Sequence, residues 1–271
     1  MNLLVKADRS ARDIVSVPAG ALDYVGFAAH RLQAGESLPV LAGDLEVCIV
    51  LLSGGASIEG GHPQLGDFAW RGLAGRQSVF EDVSPYAAYL PPGSEARVTA
   101  DSTAEIAVCT SPGNPVVADR LPPRLIEPAS MQRSTRGKGA NTRYVCDILP
   151  DTAAAHSLLV VEVRTPSGHS SSYPPHRHDR DNLPEESLLE ESYYHRIDPG
   201  QGFVFQRVYT DERDLDQAMA VEDHDVVLVP RGYHPVSVPY GYESYYLNVM
   251  AGPRRVWKFH NDPQHEWLLT R

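Results

Sequence analysis

The sequence predicts an all-β protein made of two related halves, and three observations carry that expectation. Proline (22) and glycine (21) recur at short intervals between runs rich in β-forming residues, the punctuation of a sandwich or barrel of short strands. Long apolar patterns of period 3.6 are scarce. The two halves also resemble each other, as an internal repeat would.

Taken in order, the expected strands of the first half are 22–32, 45–52, 78–81, 87–90, 97–100 and 105–110. Those of the second half are 143–148, 158–164, 191–196, 202–210, 225–229 and 244–250. A short helix is expected over 183–189 and another over the last ten residues. Between the halves, 111–139 holds Pro112, Pro115, Pro122, Pro123 and Pro128, then a basic, glycine-containing stretch at 133–139. It reads as a linker ending in a solvated loop, with the domain boundary near residue 128: 1–128 and 129–271.

The 271 residues suffice for two ordinary domains or one large β-domain. With 42% hydrophobic and 22% charged residues, the composition is that of a soluble globular protein. A formal charge of -11 argues against nucleic acid as a partner, because phosphate contacts need a basic surface. No run approaches the roughly 20 apolar residues of a membrane span. The start, Met1 to Asp8, is too short and too soon charged for a signal peptide, so a cytoplasmic location is expected. Cys48, Cys109 and Cys146 are odd in number and lie in apolar runs, the pattern of buried reduced thiols.

The chemistry concentrates after residue 168. In Pro174-Pro175-His176-Arg177-His178, two histidines one residue apart point the same way on an extended strand. Glu190-Glu191-Ser192-Tyr193-Tyr194-His195 reads as a second strand, and Asp225 to Val229 as a third that ends in Pro230-Arg231-Gly232-Tyr233-His234. Three imidazoles and a carboxylate make a donor set for one divalent ion, Zn first among Zn, Mn, Fe, Co and Ni. Two imidazoles buried together without a shared partner would leave polar groups unsatisfied. Glu185, Glu186 and Glu190 compete with Glu191 for the carboxylate place; Glu191 is preferred because its Glu-x-Tyr opens the strand. His30, His62, His156 and His169 carry little functional weight.

The halves can be laid on each other through these motifs. Ala34-Gly35 through Ala42, then Glu46, parallels Ser167-Gly168 through His178, then Glu191. Tyr86 to Glu95 parallels His224 to His234. Val40 and Ala42 then stand for His176 and His178, and Glu95 for His234, so the first half keeps the scaffold without the metal.

Glycine, His-x-His, a Glu, and Pro-x-Gly-x-His closing an apolar strand resemble the two motifs of the cupin β-barrel. Two copies imply a bicupin, two jelly-roll barrels in one chain. More narrowly, 174–181, 190–196, 202–211, 229–235 and 254–268, with Val256-Trp257-Lys258-Phe259-His260-Asn261-Asp262, resemble the uronate ketol-isomerase family. That family includes 5-deoxyglucuronate isomerase of bacterial myo-inositol catabolism. The resemblance covers nearly the whole chain, weakly before residue 130 and strongly after 165. It implies metal ligands His176, His178, Glu191 and His234. It also implies conversion of 5-deoxy-D-glucuronate to 5-dehydro-2-deoxy-D-gluconate. The insertion 179–190 departs from the general cupin spacing, which sets the carboxylate about four residues after His-x-His.

An aldose–ketose conversion of a uronate passes through a negatively charged enediol, which a divalent ion stabilises as a Lewis acid. His195 and Tyr193 share the ligand face by alternation, His195 as a proton carrier or an ordered hydroxide on the ion in its place, Tyr193 as a donor to substrate hydroxyls. Arg207, Arg231 and Lys258 are candidates to clamp the substrate carboxylate. Two other reaction classes suit the same site: an Fe-dependent dioxygenase, and a non-enzymatic sugar-acid binding module with a structural metal. Paired β-barrels commonly associate, so a homo-oligomer is possible.

Overall fold

The computed structural model describes residues 1–113 and 121–270; Pro115 of the expected linker lies outside them. Two large sheets form the centre. A seven-stranded sheet runs Leu4–Val5, Val226–Val229, Glu190–Asp198, Glu243–Ala251, Leu159–Thr165, Arg143–Leu149, Gln132–Arg136. A six-stranded sheet runs Arg124–Ile126, Ala87–Leu90, Leu45–Ser53, Ala104–Pro112, Gly26–Leu32, Asp13–Ser16. Each half adds a four-stranded sheet: Ser170–Ser171, Val236–Ser237, Phe203–Tyr209 and Asp216–Glu222 in the second, Ser37–Leu41, Glu95–Ala100, Gly55–His62 and Gly66–Ala74 in the first.

Strand alternation explains how one sheet serves two cores. In Leu45–Ser53, Val47, Ile49 and Leu51 belong to a core confined to the first half, with Leu38, Val40, Ala42 and Ala96. Cys48, Val50 and Leu52 face the other way, into a larger core shared by both halves. In the second half, Tyr194 lies 5.2 Å from Phe27 of the first half, and its hydroxyl donates to Glu105. Its strand neighbours Glu191, Tyr193 and His195 therefore face the second barrel's interior.

Charged groups also cross between the halves. The guanidinium of Arg76 meets the Glu162 carboxylate in two bonds of 3.0 and 2.7 Å, and Tyr245 adds a third donor at 3.0 Å. Both side chains are nearly sealed from solvent. Glu46 is buried as well, accepting from Tyr89 and from the backbone N–H groups of His156, Ser157 and Leu158.

The structure departs from several expectations. Residues 78–81 form turns, and the expected helix at 183–189 is instead a hairpin of Asp179–Asn182 and Glu186–Leu188, where Leu183-Pro184 supplies a turn rather than a helical repeat. At the end of the chain only Glu266–Thr270 is helical, as a 3-10 turn. The region expected to be a linker contains Arg124–Ile126 on the first half's sheet and Gln132–Arg136 on the second's. Its basic end is thus a strand rather than a solvated loop, with Arg133 paired to Asp82. Strands Gly55–His62 and Gly66–Ala74 escaped notice because glycine and exposed positions break the apolar alternation.

The three cysteines are buried and free of disulfides. Burial pushes the Cys48 thiol up to about 12 and the Cys146 thiol up to about 11. No helix among the described residues is long and apolar enough to cross a membrane.

Because the Arg76–Glu162 pair is buried, removing one partner strands the other charge. Arg76→Met is expected to cost about 3–5 kcal/mol in denaturant unfolding. Arg76→Met with Glu162→Leu is expected to recover much of that loss, and equal destabilisation by both variants would refute the account.

Candidate metal centre

Three separate pieces of chain bring polar side chains into the second barrel. Glu191 opens its strand opposite Val229. After Val229 the chain reverses at Gly232, whose φ of +94 suits glycine; a Cβ there would stand 2.5 Å from the Tyr209 carbonyl oxygen. This reversal delivers His234 to the interior. The His176–Arg177 strand pairs with His260–Asn261, and Arg177 turns to the opposite side. There Glu186, Asp211 and the Tyr233 hydroxyl hold it, which fixes the flanking histidines.

His178, Glu191 and His234 converge, each offering a ligand atom within 4.8 Å of the others. The Nε2 atoms of His178 and His234 both lie 3.1 Å from Glu191 Oε2. The other carboxylate oxygen, Oε1, accepts from Asn248 Nδ2 at 2.5 Å.

The backbone fixes which nitrogen each ring presents. His178 Nδ1 lies 3.0 Å from the Leu189 carbonyl, His234 Nδ1 2.9 Å from the Gly232 carbonyl, and His176 Nδ1 3.3 Å from the Pro174 carbonyl. A carbonyl only accepts, so each Nδ1 carries a proton; His178 Nε2 lies in hydrogen-bond range of Glu191, and His234 Nε2 is left with a lone pair toward it. A cation placed among them would serve the carboxylate and both ring nitrogens at once. His234 Nε2 is buried without a hydrogen-bond partner, the orphaned atom a bound ion would satisfy. Burial drives the pKa of both His176 and His234 down to about 3, keeping the rings neutral, as metal ligands must be. For His178 burial acts in the same direction, but the hydrogen bond and charge of Glu191 outweigh it and raise the pKa. The donor set fits a divalent transition metal.

The remaining expected residues fall in different places. His176, half-buried, stays outside the 4.8 Å set; its ring centre is 4.9 Å from that of His234 and 6.3 Å from that of His178. Of the rival carboxylates, Glu185 is exposed, Glu186 accepts from Arg177 and the Asp179 N–H, and Glu190 accepts from the Tyr24 N–H at 2.7 Å. Tyr193 lines the site, 5.8 Å from His234 ring to ring, and its hydroxyl lies 2.9 Å from Ser172 Oγ. His195 is not brought to the set. The Tyr193 ring stacks on it at 5.9 Å and stands between it and His234. His195 Nε2 instead meets Gln206 Oε1 at 2.9 Å, and Gln206 donates to the His234 carbonyl. Burial lowers the His195 pKa to about 4.

The expected carboxylate clamps are corrected by geometry. Arg207 is bound in two bonds to Asp216, and Arg231 in two bonds to Asp214, both on the outer surface. Along Phe203–Tyr209, Val204, Gln206 and Val208 are buried while Phe205 and Arg207 are exposed, so alternation turns Arg207 outward. Lys258 is exposed. Sequence reasoning missed Asn248, Tyr246 and Ser172. For the first two a signal existed, since Tyr246 and Asn248 alternate on one face of an apolar strand.

Substituting Glu191→Gln or His234→Ala is expected to abolish stoichiometric metal in elemental analysis, whereas Glu190→Gln should retain it. Asn248→Ala, which frees the Glu191 carboxylate, is expected to weaken metal affinity about 10–100-fold. Full metal content in Glu191→Gln would refute the ligand assignment.

Comparison with known proteins places this geometry in a family. The model of the KduI/IolB family matches residues 3–268. A 5-deoxy-glucuronate isomerase of Geobacillus kaustophilus is 52% identical over 247 residues, covering 91% of this chain and 86% of its own. One from Listeria innocua is 53% identical over 252 residues, covering 92% and 89%. Among solved structures, an IolB-like protein from Salmonella typhimurium superposes with a TM-score of 0.94 at 45% identity, covering 99% of this chain and 100% of that one. Oxalate decarboxylase of Lactobacillus farciminis, at 12% identity and a TM-score of 0.66 over 100% of this chain and 91% of its own, shares the fold, which is of the cupin type. With a family match from end to end and relatives identical at half their positions, the chain belongs to the KduI/IolB family.

Proposed function

We propose that this protein is an aldose–ketose isomerase that converts 5-deoxy-D-glucuronate to 5-dehydro-2-deoxy-D-gluconate with one divalent metal ion, zinc foremost. The observation that carries the reading is the buried meeting of two imidazole nitrogens with the Glu191 carboxylate. It occurs in a family whose relatives, half identical to this chain, are named 5-deoxy-glucuronate isomerase.

His178, Glu191 and His234 would hold the ion, with His176 beside them as the fourth ligand. The bound ion would supply Lewis acidity toward the substrate's carbonyl and neighbouring hydroxyl oxygens. Tyr193 is the residue of this chain best placed to act on the substrate directly. Burial, and then the Glu191 charge, raise its pKa well above the phenol range, so it stays protonated. It can donate to the oxygen that gains charge in the enediol, and the Ser172 hydroxyl beside it fixes its aim. His195 serves as a positioning residue, packing Tyr193 from behind and tying Gln206 to the His234 turn.

In this reading residues 1–128 are a barrel without metal that supports the second, 129–271. The role belongs to inositol catabolism in the cytoplasm, and a homo-oligomer fits a paired-barrel protein.

Incubating metal-loaded protein with 5-deoxy-D-glucuronate and following the carbon resonances by NMR should show the ketose acid forming without oxygen consumption. Tyr193→Phe is expected to lower kcat about 100-fold or more at unchanged metal content. Oxygen uptake would point to a dioxygenase, and binding without turnover to a sugar-acid binding module; either would sink the isomerase reading.

A further inference from the structure

Directly paired residues of an antiparallel sheet share a face, so the register of the seven-stranded sheet shows what else lines the second barrel. One row joins Tyr193, Asn248, Val161 and Asp147; the next joins His195, Tyr246, Val163, Val145 and Ser134. One step further along the same face, Arg143 pairs directly with Arg136. Two arginines opposite one another repel, an arrangement that costs stability unless something negative joins them.

The groups around them supply that charge only in part. Arg143 Nη1 donates to the Asn141 carbonyl and to Asn141 Oδ1, each at 3.0 Å, and among the described residues no carboxylate hydrogen-bonds to it. Arg136 Nη2 lies 3.7 Å from Asp147 Oδ1, an ion pair without a hydrogen bond, which offsets part of the Arg136 charge and leaves Arg143 without a carboxylate. The Arg136 guanidinium stands 5.3 Å over the Trp257 ring, whose Nε1–H is buried without a hydrogen-bond partner. Beside the Asp147 carboxylate, the spare groups here are the two guanidiniums and the indole N–H, in a protein of net charge -11. Burial works against the charged form of Arg143, the Tyr246 and Tyr193 phenols work for it, and Arg136 adds its repulsion.

The same spot connects to the metal centre. Trp257 lies 6.4 Å from Phe259 ring to ring, and Phe259 lies 4.8 Å from His176. The aromatic segment before His260 therefore runs from the arginine pair to the first histidine of the candidate metal site.

We propose that Arg143 and Arg136, with the indole N–H of Trp257, bind the carboxylate of the sugar acid while its reacting end lies at His178, Glu191 and His234. This rests on the isomerase reading and deepens it by naming what selects an acid over a neutral sugar. A carboxylate presents two acceptor oxygens to paired guanidinium groups, the match that a hydroxyl cannot make.

The test compares wild type, Arg143→Met, Arg143→Lys and Arg136→Met, all metal-loaded and checked for metal content and melting temperature. The substrates are 5-deoxy-D-glucuronate and its neutral counterpart 5-deoxy-D-glucose. The expected result is a KM for the acid raised about 10–100-fold in each Met variant, with kcat changed little. Preference for the acid over the neutral sugar should shrink by the same factor, and Arg143→Lys should restore part of it. Calorimetric titration with 5-deoxy-D-glucuronate reads the same loss as affinity, independent of turnover. Wild type that binds the acid without converting it would sink the isomerase reading alone. Met variants that keep both affinity and acid preference would overturn the arginine assignment alone. If Arg143→Met fails to fold, Arg136→Met and Arg143→Lys carry the same comparison.

Discussion

The second barrel is organised around the buried carboxylate of Glu191. Glu191 Oε2 faces two imidazole nitrogens at 3.1 Å, and backbone carbonyls of Leu189 and Gly232 take the protons of both rings on their far sides. One cation would satisfy the carboxylate and both nitrogens together. The surrounding bonds all hold that arrangement: Asn248 fixes the free carboxylate oxygen, and Gly232 permits the reversal that brings His234 inside. Arg177, anchored by Glu186 and Asp211, stops the His-x-His segment from rotating.

Comparison of the halves shows how one register step separates a polar interior from an apolar one. The sequence repeat sets Glu46 beside Glu191, but the pairing does not. Leu90 and Val229, each just before its Pro-x-Gly turn, face Val47 and Glu191 respectively. Val47 therefore occupies the place of Glu191 in the first barrel, and Glu46 is turned to the boundary between the halves, where it accepts backbone N–H groups of 156–158. Because the side-chain period of a strand is two, a slip of one residue exchanges interior for exterior. Glu95 likewise is exposed where His234 is buried, and Ala96 points into the first core. Val40 and Ala42 do face that core. The first barrel packs an apolar interior where the second holds its polar set.

The inner face of the seven-stranded sheet is graded from end to end. Glu191 sits at one end, the hydroxyls of Tyr193 and Tyr246 follow, and Arg143 and Arg136, the latter near Asp147, close the other end. A ligand with a carbonyl at one end and a carboxylate at the other would meet opposite chemistry at each. The outer arginines, Arg207 and Arg231, are already neutralised by Asp216 and Asp214 and serve the surface.

Much of this was legible in the residues themselves. Apolar runs punctuated by Pro and Gly marked strands such as Ala87–Leu90 and Val226–Val229, because a buried strand must be apolar and must end where the backbone cannot continue. Spacing alone put His176 and His178 on one side and paired Glu191 with Tyr193, because alternation is local geometry. What only the tertiary structure decided was every choice that depends on which strands become neighbours. Glu191 rather than Glu190 faces the barrel because its strand is flanked on both sides, and Glu190 is drawn to the Tyr24 N–H of the other half. Arg143 and Arg136 joined the interior through the register between strands. Such contacts carry no local signature, since their cause is the packing of the whole.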